Sequence, residues 1–195
     1  MLDALFNGEF YINIHSAAFP GGEIYAHLVY DASAESPQQD ELTSEEVDYD
    51  IVRFLTQATF GATPEDYDEL RVLIDSDGKN RLQVYDLWIE NQFSMPTTSM
   101  LDLDKHIYAQ FPSYNHTGLQ PQSFWPITVF AKDQLRQRMA FALSEILVIS
   151  RQDSQVRNKP RGVGSYWDTL SSNAFGSYRN LLEEVALHPI MGVYL

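Results

Sequence analysis

Between Pro126 and Ser150 the chain reads PITVFAKDQLRQRMAFALSEILVIS, and this stretch restricts the possible folds more than any other. At about 100° per residue, Val129, Ala131, Leu135, Met139, Ala142, Leu143, Ile146, Leu147 and Ile149 fall in one broad arc. Phe130, Phe141 and Val148 make a narrower stripe on another side. A helix apolar on two sides is enclosed by neighbours. The expectation is a mainly α, multi-helix domain of orthogonal or bundle-like packing around one buried central helix, about 126–150. Arg136 projects into the apolar arc between Leu143 and Leu147. A buried guanidinium needs a carboxylate or carbonyls, because an unpaired one costs about 3 kcal/mol or more. Glu183 and Glu184, on the last long helix, are the expected partners in a structural ion pair.

The flanking pattern is also helical. Thr43 with Glu46 three residues on makes a capping box, and Val47, Ile51, Phe54, Leu55 and Ala58 follow at helical spacing to about Thr59. Gly61 stops that helix. Thr63 and Pro64 begin a second, running to about Asp75, before the turn Ser76-Asp77-Gly78. Arg81 to Phe93 predicts a third, with Leu82, Tyr85, Trp88, Ile89 and Phe93 inward, and Met95-Pro96 breaks it. Met100, Leu103, Ile107, Tyr108 and Phe111 imply a fourth. Pro112 to Trp125 reads as a long connection, and connections of that length are commonly functional or mobile. After the central stretch, Arg151 to Arg161 reads as a loop, and Tyr166–Leu170 and Tyr178–Leu187 as the last helices. The final one ends at His188-Pro189.

Residues 8 to 30 have a different period. Phe10, Ile12 and Ile14 alternate with Tyr11, Asn13 and His15, and Pro20-Gly21-Gly22 supplies turn chemistry before a second strand from Glu23 to Tyr30. An antiparallel hairpin of this size is marginal alone. The segment Tyr11, Asn13, His15, Ser16, Pro20, Gly22, Glu23 and Ile24 resembles the C-terminal end of a CHRD (chordin-type) domain, although Tyr25 and Ala26 stand where that family often has Arg-Gly. The resemblance implies that the hairpin is the remnant of an extracellular β-sandwich, with His15 and Glu23 structural. The expected layout is residues 1–31 as this partial domain, 32–46 as an acidic linker and 47–195 as the helical domain.

Composition excludes several classes. A formal charge of −14 over 195 residues disfavours nucleic acid and anionic membrane surfaces, which call for a dense basic footprint. The absence of cysteine rules out disulfides, thiolate metal sites and thiol nucleophiles within these residues. No apolar run reaches the roughly 18 residues that span a bilayer. LDALFNGEFY lacks the basic and apolar regions of a signal peptide, and the start reads as a cut through something larger. No Gly-x-Ser-x-Gly, phosphate loop, dinucleotide fingerprint or His-Glu-x-x-His occurs.

The candidates for chemistry are therefore few. Glu184 and His188 lie four apart on one helical face, with Glu183 and Met191 nearby. They form either an acid/base couple, a pair of metal ligands, or an ordinary helix end whose imidazole caps the last carbonyls. Arg151, Arg157, Lys159 and Arg161 make the one basic island, either a solvated loop or a contact for an anionic sugar or acidic partner. Arg138 and Glu145 read as ordinary partners of neighbouring helices. Trp125, Trp167, Tyr166 and Tyr178 suit either the core or a carbohydrate platform.

Several segments in order resemble the DUF1800 family, a bacterial group of uncharacterised function. They are Phe54-Leu55 with Ala58-Thr59-Phe60-Gly61 and Thr63-Pro64; Trp88-Ile89 with Gln92-Phe93; Gln134 to Arg138 running into Ala140 to Ser144; Asn173 to Gly176; and Leu181 to Val185 with His188-Pro189, Met191-Gly192 and Tyr194-Leu195. The resemblance spans about residues 47 to 195 and covers the family's N-terminal half. It implies a largely helical, exported protein, extracellular, surface-bound or periplasmic, and brings no catalytic residue or cofactor. The expected function is a non-catalytic surface, structural or binding module, with another exported protein or an extracellular polysaccharide as partner. The alternative is an extracellular hydrolase or metal-dependent enzyme with a site completed by a further half.

Overall fold

The computed structural model describes residues 42–76, 80–111 and 119–195, together with 10–14 and 24–28; for 10–14, 24–28 and 119–122 it describes the backbone alone. His15, Glu23, most of the acidic linker, Asp77-Gly78 and residues 112–118 lie outside this set. The chain divides into two compact units, residues 1–42 and 43–195. In the first, strands β1 (Phe10–Ile14) and β2 (Ile24–Leu28) pair antiparallel, with Phe10 opposite Leu28 and Ile14 opposite Ile24.

The second unit is helical throughout its described residues. Its helices are α1 (Ser44–Ala58), α2 (Pro64–Ser76), α3 (Arg81–Ser94), α4 (Met100–Gln110), α5 (Leu119–Phe130), α6 (Gln134–Ile146), α7 (Ser154–Arg157), α8 (Pro160–Ser172), α9 (Tyr178–Leu187) and α10 (Pro189–Tyr194). Local signals account for most of the starts. Thr43 and Glu46 exchange the reciprocal bonds of a capping box, and Asn80 and Gln83 do the same for α3. Gly61, at φ +144°, turns the chain between α1 and α2 in a conformation that side-chain-bearing residues rarely adopt.

Two apolar clusters result. Ile51, Leu55, Leu70, Val84 and Tyr85 unite α1, α2 and α3, and Phe54 stacks on Tyr85 at 4.2 Å between centroids. Met100, Ile127, Ala140, Val156, Val163, Tyr166, Trp167, Leu170, Leu181, Val185 and Ile190 unite the remaining helices. On α3, Tyr85 is buried as expected, whereas Leu82 and Phe93 are about half exposed. The inward face there runs through Val84, Tyr85 and Gln92.

The central helix is not the one the apolar count selects. The stretch 126–150 is two helices, α5 and α6, parted at Ala131–Asp133, and Pro126 lies inside α5 because that helix starts upstream at Leu119. None of the nine residues of the apolar arc is fully buried, and Val129, Met139, Ala142 and Ile146 are exposed. Arg136, Gln137 and Ala140 are the buried residues of α6. Within α6 alone the apolar side carrying Leu135, Met139, Ala142, Leu143 and Ile146 is half-buried or exposed, and the polar side through Arg136 and Gln137 faces α8 and the end of α3.

The enclosed helix is α8, which touches α4, α5, α6, α7, α9 and α10. It buries Val163, Gly164, Tyr166, Trp167, Leu170 and Ser171, and burying each large side chain contributes about 1.5–3 kcal/mol. Pro160 opens it at the first helical position. The loop read over 151–161 thus contains α7 and the start of α8. Gly164 sets how closely α4 and α8 approach: a Cβ there would lie 2.7 Å from Asp104 Oδ2 and 3.3 Å from the Leu101 backbone.

A polar node ties α6 and α8 to the segment before α4. Asp133 accepts from the Thr98 amide at 2.9 Å and hydroxyl at 2.6 Å. Gln137 donates to Thr98 O at 3.1 Å and Asp133 Oδ2 at 2.9 Å, and accepts from Trp167 Nε1 at 2.7 Å. Both Asp133 and Gln137 are essentially inaccessible to water. Asp168 caps α4 from a neighbouring helix, accepting from Ser99 Oγ and the Met100 amide at 2.7 Å each.

Candidate functional site

A cavity of about 730 Å³ among the described residues is a groove where the α1–α2 corner faces α3 and α5. Phe60, Trp88, Phe124, Trp125 and Phe130 line it, with Glu65, Asp66 and Lys132 among its polar residues. The Phe60 ring is held edge-on to Phe124 and Phe141, at 6.2 and 5.9 Å. Arg138 lies over Phe60 and Phe141, 5.6 and 5.8 Å from their centroids. Trp125 is 65 % exposed, yet its ring meets Phe124 edge-on at 5.6 Å. A large aromatic face is thereby presented to water in a fixed place.

Two amides at this groove are committed to the backbone. Gln92 donates to Lys132 O at 3.1 Å and accepts from the Leu135 amide at 3.1 Å. Gln134 donates to Ala131 O at 2.8 Å and accepts from the Phe60 amide at 3.5 Å. They close the α5–α6 break, satisfying groups that helix ends leave open. Thr59 donates to Leu55 O and accepts from the Gly61 amide. Glu65 is exposed on the first turn of α2, and Asp66 accepts there from the Thr63 hydroxyl at 2.7 Å.

The residues expected to carry chemistry are placed elsewhere. Arg136 is buried although the apolar arc around it is not, and it does not meet Glu183 or Glu184, both of which are exposed. Its terminal nitrogens donate to Ser171 O and Phe93 O at 3.3 Å each, and its guanidinium lies 4.6 Å from the Phe175 centroid. Asp133 Oδ2 is 4.0 Å from Nε. Carbonyls at the ends of α3 and α8 thus take the role assigned to the glutamates.

His188 joins α9 to α10. Its Nδ1 accepts from the Ile190 amide at 3.3 Å, so the ring proton sits on Nε2, which donates to Ser165 Oγ at 3.2 Å. That tautomer leaves no lone pair facing Ser165, so the pair is not poised as a nucleophile and base. Burial holds the imidazole below its ordinary pKa. Glu184 instead accepts from Asn173 Nδ2 at 2.8 Å. Among the described residues there is no group of three or more His, Asp or Glu able to hold a metal ion.

The basic island is dispersed. Arg151 lines a cavity of about 230 Å³ with Ser144, Glu145 and Tyr166, and Arg157 donates to Arg151 O and Gln152 O at 3.3 and 3.1 Å. Lys159 and Arg161 line a different cavity, of about 380 Å³, with Asp104, Lys105 and Tyr108. Of the four rings named as platform or core, Trp167 and Tyr166 are core, Tyr178 is exposed and Trp125 stands in the groove.

Asp104, Asp133, Gln92 and Gln137 were not singled out from the sequence. One signal was available: Asp104 sits on the stripe between Met100 and Tyr108, a polar residue on an inward face. Burial holds the Asp104 carboxyl above its ordinary pKa, while the bond from Ser123 pulls the other way. Asp168 is likewise raised by burial. No described helix is long and apolar enough to cross a membrane.

A family described as "Protein of unknown function (DUF1800)" matches residues 53–195. This range contains every residue lining the groove. It does not reach residues 8–30, and none of the comparisons finds a chordin-type domain there. No curated protein and no solved structure matches the chain.

Proposed function

The chain belongs to the DUF1800 family, and we propose that it is a non-catalytic binding module of an exported protein whose aromatic groove holds a neutral polysaccharide. The observation that carries this reading is Trp125, two-thirds exposed and braced by Phe124 at the rim of the groove. An exposed ring fixed on a helix offers an apolar face at little entropic cost, and a solvent-facing apolar patch of this kind marks a contact site. Glu65 and Asp66 supply acceptors for hydroxyl groups beside that face. Their charge, and that of the chain as a whole, favours a neutral polymer over an acidic one. The chordin-type likeness of residues 8–30 belongs to the same proposal, since it implies an extracellular setting.

Gln92 and Gln134 support binding over catalysis, because their amides are engaged by the backbone. The hydrolytic or metal-dependent alternative through His188 and Glu184 finds the two side chains with separate partners. The test is affinity electrophoresis in gels containing laminarin, hydroxyethylcellulose or arabinoxylan. At least one polymer retards the parent protein, and Trp125→Ala weakens that retardation by about tenfold or more with unchanged melting temperature. Absence of retardation by all three, or a Trp125→Ala variant that binds like the parent, overturns the proposal.

A further inference from the structure

We infer that the cavity between α4 and the start of α8 is a second binding site, for a small hydroxylated molecule bearing an oxyanion, such as a sugar acid or a sugar phosphate. The inference is independent of the aromatic groove. The cavity encloses about 380 Å³, and Lys105, Lys159 and Arg161 all line it. Lys105 is also paired with Asp102 at 2.7 Å, so Lys159 and Arg161 carry most of the cavity's positive charge, in a chain with 13 Lys and Arg against 27 Asp and Glu. The walls are shaped as well as charged. Arg161 lies 5.6 Å from the Tyr108 ring centroid, which orients its guanidinium and gives the site an aromatic side.

The backbone adds to the field. Lys159 is the N-cap of the 13-residue α8 and makes no side-chain cap bond, and Pro160 at the first helical position has no amide hydrogen. The Gly162 amide is bonded to Lys159 O, so the α8 terminus contributes its dipole rather than a set of free amides, and no protein carboxylate caps it.

Asp104 closes the floor with its carboxyl turned away from solvent: it is 2 % exposed, and its Oδ2 stands beside Gly164, whose lack of a side chain leaves that oxygen its room. Burial pushes this carboxyl toward its neutral form, so the floor repels an anion less than an exposed aspartate would. Asn158 also lines the cavity, and its amide both donates and accepts, which suits hydroxyl groups. Size agrees with a ligand larger than an inorganic ion: at about 30 Å³ per water, the cavity has the volume of roughly a dozen waters, room for a monosaccharide derivative together with several waters.

The experiment is calorimetric titration of the full chain at low ionic strength and neutral pH with glucuronate, glucose 6-phosphate, glucose and inorganic phosphate. At least one anionic sugar binds about tenfold or more tightly than both glucose and phosphate, and the better of the two identifies the oxyanion. Lys159→Gln/Arg161→Gln weakens that binding by about tenfold, and added salt weakens it too, while Trp125→Ala leaves it unchanged. Should the double variant melt early, the exposed Lys105→Gln, expected to weaken binding by about threefold, takes its place. No binding of either anionic sugar, glucose or phosphate binding as tightly, or charge-removing variants that bind like the parent would each overturn the inference. Loss of binding in Trp125→Ala would assign it to the groove instead.

Discussion

Replacing Gln137 by Leu separates shape from polarity in the node that joins α6 to α8. Leucine nearly preserves the volume, so little cavity forms, but three bonds disappear: those to Thr98 O, Asp133 Oδ2 and Trp167 Nε1. Asp133 retains its two bonds from Thr98 and loses least. The Trp167 indole N–H and the Thr98 carbonyl remain unpaired away from water, at about 1–3 kcal/mol each. The added apolar burial offsets about 1 kcal/mol. The net is a destabilisation of about 1–5 kcal/mol, which in a chain of this size lowers the melting temperature by about 2–20 °C. Urea unfolding followed by tryptophan fluorescence and circular dichroism measures it. Trp167→Phe removes the donor from the other side, so the double variant costs about 1 kcal/mol or more less than the two single losses added. If Gln137→Leu unfolds within about 0.5 kcal/mol of the parent, the node contributes nothing and the packing account of α6 is wrong.

Two further outcomes follow from buried charge. Arg136→Met is tolerated better than Arg136→Ala, because Met keeps contact with Phe175 while both leave Ser171 O and Phe93 O unpaired; chemical denaturation shows about 1–2 kcal/mol between them, and equal stabilities would mean that the side chain's packing is irrelevant. The Asp104 pKa is higher folded than unfolded, so its favourable contribution is present below the ordinary value of 3.8 and is lost as pH rises through the folded value. Asp104→Asn therefore gains on the parent as pH rises above the ordinary value of 3.8, and thermal melts showing a difference independent of pH would contradict this.

Local order was legible because its causes are local. Thr43 with Glu46, Thr63 with Pro64, and the glycine at 61 act over three or four residues, and the helices begin and end near those marks. The stop at His188-Pro189 was visible for the same reason, although Pro189 then opens α10 with His188 as its N-cap. The groove was half legible: Trp125 was a candidate platform, but Phe60 and Trp88 come to it from the α1–α2 corner and from α3 over long separations. The cavity at the start of α8 drew two of its three cations, Lys159 and Arg161, from the basic island; Lys105 comes from α4.

What the sequence determined alone was the kind of matter to be folded: acidic, cysteine-free, helical in its larger part, with one guanidinium compelled to find oxygen atoms inside. Only the tertiary structure decided which oxygens. Arg136 meets the carbonyls of Phe93 and Ser171 rather than the carboxylates of α9, the oiliest face of α6 stays partly in water, and α8 holds the centre. No count of apolar residues shows this, since hydrophobicity specifies that a face be covered, not which neighbour covers it.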